Sequence, residues 1–172
     1  GRSAAASDVN KWQAKDLVAG ADSVQFCFSK GLGAPIGSMV VGEKGFIAEA
    51  RRARKVLGGG MRQAGLLAAA ALHALEYGVP RLHEDHRNAR KIAETLAALP
   101  GIVMDLESVQ TNIIIFQVCR EDMSAPQLCD RLTQYGIATS ARDATTIRFV
   151  THRDVSAEDT DTVCGALSEV LG

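Results

Sequence analysis

A lysine placed directly after an alternating apolar run and directly before a cluster of glycines is the residue of this sequence best set for chemistry. It lies in Ser29-Lys30-Gly31-Leu32-Gly33-Ala34-Pro35-Ile36-Gly37. A lysine against a buried strand is costly unless it is exposed, paired or used covalently. A desolvated one has a lowered pKa, which suits attack on a carbonyl carbon. Glycines beside it let the backbone approach a flat ligand closely. The plain alternative is a solvated lysine in a glycine turn, and on local logic alone that is the commoner outcome. A dinucleotide-binding fingerprint fits less well, because these glycines lead into a strand and not into a helix.

A second group is Arg54-Lys55-Val56-Leu57-Gly58-Gly59-Gly60-Met61-Arg62-Gln63. Glycines leading into a helix N-terminus make an anion site, since free N–H groups and the helix dipole both favour phosphate. Arg62 could add a bidentate contact. Arg51 and Arg52 read as a solvated helix end that complements the dipole.

A third is Thr146-Ile147-Arg148-Phe149-Val150-Thr151-His152. Alternation sets Arg148 beside Val150, on the face opposite Ile147 and Phe149. An arginine inside an apolar strand calls for a carboxylate or phosphate partner. A substrate carboxylate and a structural ion pair, to Asp154 or elsewhere, both satisfy that demand. His83-Glu84-Asp85-His86 has two histidines on one helix face, but no third ligand at matching spacing, so it reads as a solvated helix start and no metal is expected. His73, in an apolar helix, reads as a satisfied core histidine. The sequence has no nucleophile elbow and no Walker loop.

Certain elements must hold these residues. Asn10 to Val18 is a short helical candidate, and Ser23 to Phe28 alternates as a strand. The glycine turn Ser29 to Ser38 follows, then the strand Met39 to Val41. Residues 44–57 have helical period, with Phe46, Ile47, Ala50, Ala53 and Leu57 on one face. A helix from Met61 to Tyr77 is apolar almost all round, which predicts deep burial, and Gly78-Val79-Pro80 is expected to break it. Arg81 to Leu99 reads as a long amphipathic helix that buries Leu82, Ala89, Ile92, Ala93, Leu96 and Leu99. Strands are expected at Ile102–Leu106, Asn112–Val118, Ile137–Thr139 and Thr146–Val150. Capping signals at Ser124 and Ser156 start helices to Tyr135 and Leu171. The order from residue 81 is then α-β-β-α-β-β-α, a compact α+β module.

The 172 residues carry 19 Lys+Arg against 20 Asp+Glu, a net charge of −1, which excludes an electrostatic nucleic-acid binder and a polybasic membrane anchor. The composition is 47% hydrophobic and 23% charged, which is globular and not disordered. No apolar run reaches the roughly 18 residues of a membrane span, and the first residues have no apolar core of a secretory signal. Cys27, Cys119, Cys129 and Cys164 form no CxxC pair and read as reduced cysteines of a cytoplasmic protein.

The three groups together, in the order DSVQFCFSKGLGAPIGS, RKVLGGGMRQAG, the NII strand after Thr111 and IRFVTHRDVS, resemble the pyridoxal-phosphate-dependent L-threonine aldolases, grouped with the aromatic amino acid β-eliminating lyases. The resemblance spans about Ala21 to Gly172. It implies an α/β fold-type-I architecture: residues 1–79 as the end of the large cofactor domain and 80–172 as a small α+β domain. It implies pyridoxal 5'-phosphate as cofactor, with Lys30 as the covalent lysine, Arg62 on the phosphate, Lys55 near the same site, and Arg148 on the carboxylate of an amino acid substrate. Cleavage of L-threonine or L-allo-threonine to glycine and acetaldehyde by a homodimer or homotetramer with shared active sites is then the expected activity.

The resemblance covers only the later half of such enzymes. The first half would supply the histidine stacked on the pyridine ring, the glycine-rich phosphate loop and the aspartate of a DGAR motif. Gly1-Arg2 stands about where that motif would end, and no role is carried onto Arg2. Asp22 begins the strand leading to the lysine and is not that aspartate. No residue of the sequence is assigned as the base that takes the hydroxyl proton. Two other readings stand beside the aldolase: a related fold-type-I lyase working by β-elimination, and a non-catalytic remnant that only dimerises.

Overall fold

The computed structural model describes residues 14–172. These divide into two compact units, one up to Leu82 and one from His83 to Gly172. Of the predicted helix Asn10 to Val18, a short α1 is seen at Ala14–Leu17, and the earlier residues, with Gly1 and Arg2, lie outside the described ones.

The first unit is built on an antiparallel hairpin, β1 (Ser23–Cys27) and β2 (Ser38–Gly42), in register from Ser23 opposite Gly42 to Cys27 opposite Ser38. Helix α2 (Lys44–Val56) comes next, then α3 (Gly65–His73). Both strands stand where alternation places them, but they are not buried. β1 is covered at most in part, and Met39, Val40 and Val41 of β2 are exposed. Two further expectations about helices fail here. Helix α3 buries none of its residues, with Leu66 83% exposed, because a helix apolar all round does not name the surface that covers it. Nor does the helix break at Gly78-Val79-Pro80. It passes through a π-helical turn, Ala74–Gly78, into α4 (Val79–Ala97). Pro80 has no N–H to give to the preceding turn, and the wider π turn is one way a helix absorbs such a fault and continues.

The second unit is a three-stranded antiparallel sheet, β3 (Ile102–Val103), β4 (Ile113–Val118) and β5 (Thr146–Val150), in the order β3-β4-β5. Helices α5 (Ala125–Thr133) and α6 (Ala157–Leu171) complete it with most of α4. Alternation along the strands divides the two faces. Ile114, Phe116, Val118, Ile147 and Phe149 are buried with Ala89, Ile92, Ala93 and Leu96 of α4 and Leu128, Leu132, Leu167 and Leu171 of the other two helices. Phe116 and Phe149 meet edge to face, 5.2 Å between centroids. Ile113, Ile115, Arg148 and Val150 form the open face.

Local caps start the helices as expected. Asp159 N–H donates to Ser156 Oγ at 3.0 Å, and Ser156 N–H donates back to Asp159 Oδ2 at 2.8 Å. Ser124 N–H donates to Gln127 Oε1 at 2.8 Å. Gly136, at φ 76°, comes after α5 in the left-handed region that favours glycine. Two strand expectations change. The one at Ile102–Leu106 shortens to two residues and yields to a 3-10 turn, Leu106–Ser108, where the Asp105 carboxylate accepts from Glu107 N–H at 3.0 Å. Ile137–Thr139 forms no strand, and only Ala141 bridges to Ile147, so the module runs α-β-β-α-β-α.

Candidate active site

The connection between β1 and β2 carries Lys30, and its geometry is set by two neighbours. Phe28, 3% exposed, takes both ends of the loop: its N–H donates to Gly37 C=O at 2.9 Å and its C=O accepts from Ala34 N–H at 3.0 Å. Lys30 C=O accepts from Gly33 N–H at 2.8 Å, which closes a tight turn over Gly31 and Leu32. Gly33 has φ 75° and Gly37 φ 123°, conformations a side chain resists. Phe28, Ala34 and Ala74 form a small core, joined by Phe26, Leu32 and Ala71. Lys30 itself is exposed on this turn, so its amine is accessible and not desolvated within the unit. The expectation of a lysine against a buried strand is corrected to that extent.

Arg62 belongs to the same unit. The three glycines do not run straight into the helix. Gly58 turns at φ 83°, Gln63 stands at φ 51°, and α3 begins only at Gly65, so Arg62 precedes the helix and is exposed. The glycine loop folds back on the end of α2: Gly59 N–H donates to Arg54 C=O at 2.8 Å. A methyl group on Gly60 would meet Lys55 Nζ at 2.8 Å, and one on Gly59 would meet Arg54 Cγ at 2.8 Å. These glycines thus make room for two basic side chains that lie against the loop. Ala64 at the start of α3 offers no side-chain cap, which leaves the first N–H groups of that helix open to an anion. An accessible amine and a glycine cradle with basic side chains fit a carbonyl cofactor that bears a phosphate.

Arg148 lies in the second unit, on the open face of β5, opposite Ile115 of β4. The ion pair to Asp154 is not formed. Asp154 stands 3.7 Å from His152 Nδ1 and 4.0 Å from Arg153 Nε, and among the described residues Arg148 has no ion-pair partner. Beside it, the failure of residues 137–140 to pair with β5 opens a cleft of about 570 Å³. Ile92, Phe149 and Val163 line its apolar side, with Thr139, Ser140, Arg148 and His152 among its polar lining.

What residue patterns alone did not single out is the clamp at this end of the sheet. Thr151 N–H donates to Asn112 C=O at 3.0 Å, and Asn112 Nδ2 donates to Thr151 C=O at 2.7 Å, so a side-chain amide continues the ladder past the last pair. Thr151 Oγ1 donates to the Asp85 carbonyl at 2.6 Å, and Asn88 Nδ2 to the Val155 carbonyl at 3.0 Å. The available signal was Asn112 itself, a polar residue at the mouth of an apolar strand.

His73 is exposed, not core, and its ring lies 4.5 Å from that of Tyr77. Burial lowers the pKa of His86, with Asp85 opposing and His83 adding to the shift. Among the described residues no three His, Cys, Asp or Glu side chains come together as metal ligands. Among them, too, no helix is long and apolar enough to cross a membrane.

The architecture is fold-type-I, as the likeness to solved structures shows. The chain matches a solved, proposed L-allo-threonine aldolase from Listeria monocytogenes EGD-E with a TM-score of 0.79 at 20% identity, over 97% of this chain and 49% of that one. It matches a serine palmitoyltransferase from Sphingomonas wittichii with a TM-score of 0.70 at 18% identity, over 92% and 43%.

Residues 1–119 match the family described as Beta-eliminating lyase, and the chain belongs to that family. It is 44% identical over 146 residues to low-specificity L-threonine aldolase 1 of Arabidopsis thaliana, covering 83% of this chain and 40% of that protein. It is 42% identical over 144 residues to the low specificity L-threonine aldolase of Escherichia coli (strain K12), covering 84% and 41%. The chain thus spans about two-fifths of the length of these relatives.

Proposed function

We infer that this chain supplies the covalent lysine, a phosphate contact and a carboxylate contact to a pyridoxal-phosphate-dependent aldolase that cleaves L-threonine or L-allo-threonine to glycine and acetaldehyde. The observation that carries this reading is the identity of 44% and 42% to low-specificity L-threonine aldolases over more than four-fifths of the chain. Residues up to 79 form the end of the cofactor domain and residues 80–172 the small domain. The complete protein works in the cytoplasm as a homodimer or homotetramer. The many exposed apolar side chains of the first unit, Val40, Leu66 and Leu72 among them, support its assembly with further protein surface.

When bound, the cofactor supplies an electron sink for the pair released as the Cα–Cβ bond breaks. Lys30 would hold such a cofactor through its side-chain amine, which is exposed on the glycine turn. Arg62, with Lys55 and the open N–H groups of α3, balances the phosphate charge. Arg148 takes the substrate carboxylate in a bidentate grip and so sets which bond at Cα can break.

Product analysis on the complete enzyme tests this reading. Glycine and acetaldehyde in equal amounts are expected from L-threonine, whereas ammonia and a keto acid would assign the chain to β-elimination. Lys30→Ala should abolish both turnover and the borohydride-reducible adduct. A variant that keeps the adduct at wild-type level removes Lys30 from the role.

A further inference from the structure

The Lys30 turn is supported from one side by the helix that should have broken. Leu32, at the crest of the turn, packs against the small core of Phe28, Ala34 and Ala74. Its backbone also lies directly on Gly78, the last residue of the π-helical turn. A methyl group on Gly78 would stand 2.8 Å from the Leu32 carbonyl oxygen and 3.3 Å from its Cα. Both are backbone atoms, which cannot swing away as the end of a side chain can. One turn further along, a methyl group on Gly31 would meet Leu82 Cδ2 at 3.1 Å. Gly31 and Leu32 are the two central residues of the turn that Lys30 C=O and Gly33 N–H close at 2.8 Å. The turn is therefore gripped at both central residues by one stretch of helix, Gly78 to Leu82.

The π turn is what allows this grip. An extra residue in a helical turn displaces the backbone outward at one place and re-aims the next turn of helix. Pro80 removes the hydrogen bond that would favour a regular turn there, and glycine at 78 removes the side chain from the approaching surface. We propose that the π-helical turn Ala74–Gly78 is a seat for the Lys30 turn, with Gly78 and Leu82 as positioning residues that hold the lysine where its amine is used. The proposal rests on the reading of Lys30 as the covalent lysine. It adds why the continuous helical run from Gly65 to Ala97 carries Gly78 and Pro80 in its middle: they shape a contact with the turn.

The test uses the whole chain and two readouts. The first is hydrogen exchange at the Gly33 amide, which reports the turn without reference to any cofactor. The second is the share of borohydride-fixed pyridoxal phosphate that peptide mass spectrometry finds on Lys30, relative to Lys44 and Lys91. In Gly78→Ala, Gly33 exchange should rise about tenfold and the Lys30 share should fall about tenfold, since small displacements of a reacting group carry factors of this size. Gly45→Ala, at a helical glycine with open space around it, should change neither. If Gly78→Ala does not fold, Leu82→Ala decides, with the same directions and a smaller effect.

Unchanged Gly33 exchange in the folded variant overturns the seat, whatever the labelling does. Faster exchange with an unchanged Lys30 share overturns the positioning role. Faster exchange in a protein whose wild-type Lys30 was never labelled above Lys44 and Lys91 supports the seat and rejects the cofactor reading of Lys30.

Discussion

The two units of this chain bury apolar surface in opposite ways. From His83 onward, each strand puts every second side chain inward, and three helices close over that face, so Ile114, Phe116, Leu96, Leu128, Leu132 and Leu167 are all but sealed. Up to Leu82, the fully covered apolar side chains among the described residues are Phe28, Ala34 and Ala74, while Leu57 is 84% and Leu66 83% exposed. Yet the first unit holds two of the three proposed site residues, Lys30 and Arg62. Stability and chemistry are thus unevenly shared: one unit is shaped around its own core, the other around a glycine turn and a glycine loop that present charged groups.

The largest effect should come from the sealed core. Phe116→Ala is expected to cost about 4 kcal/mol, from lost transfer energy and the cavity left behind, whereas Leu66→Ala should stay within about 0.5 kcal/mol in this chain. Denaturant melts of both variants check the pair, and equal losses would erase the contrast between the units.

Next comes Arg62→Ala, which should weaken pyridoxal phosphate binding by about 2 kcal/mol, the scale of a lost charge-assisted hydrogen bond. Spectroscopic titration of the complete enzyme reads it, and an unchanged dissociation constant would take Arg62 off the phosphate.

Arg148→Lys should raise KM for the amino acid while leaving cofactor affinity and the melting temperature near wild type, because lysine lacks the bidentate fork. Arg51→Lys, on an exposed stretch of α2, should be silent. A lower melting temperature with intact kinetics would make Arg148 structural.

The smallest effect is a titration in the loop before β5. The Asp143 carboxylate accepts from the Thr145 and Thr146 N–H groups at 2.9 and 2.8 Å. These bonds, with that of Thr145 foremost, lower its pKa from the ordinary 3.8 to about 2. A carboxyl whose pKa is lower folded than unfolded stabilises the fold above the unfolded value and loses that contribution as pH falls through the folded one. Melting temperature should therefore drop between about pH 4 and pH 2 in the wild type. In Asp143→Asn that part of the acid limb should flatten, and an identical limb in both proteins would show that the turn does not depend on the charge.

Much of the second unit was written in short stretches of sequence. Alternation in Thr146–Val150 assigns Ile147 and Phe149 to one face and Arg148 to the other without knowledge of any partner. Ser156 with Asp159, Ser124 with Gln127, and glycine at 136 act on backbone groups within a few residues of themselves. Lys30, Arg62 and Arg148 were legible as candidates for the same reason, since residue type and immediate neighbours mark a charged group in an unusual setting.

Tertiary structure alone decided what depends on distant surfaces. Residues 137–139 are β-prone, but whether they join β5 depends on what else packs at that edge, and here they leave a cleft instead. The apolar helix α3 could be read as deeply buried because hydrophobicity states a need for cover and not its supplier. Gly78 and Pro80 read as a break in one dimension. In three, Gly78 ends a π turn against Leu32, because its missing side chain matters only once another backbone lies beside it, while the missing N–H of Pro80 acts within the helix itself.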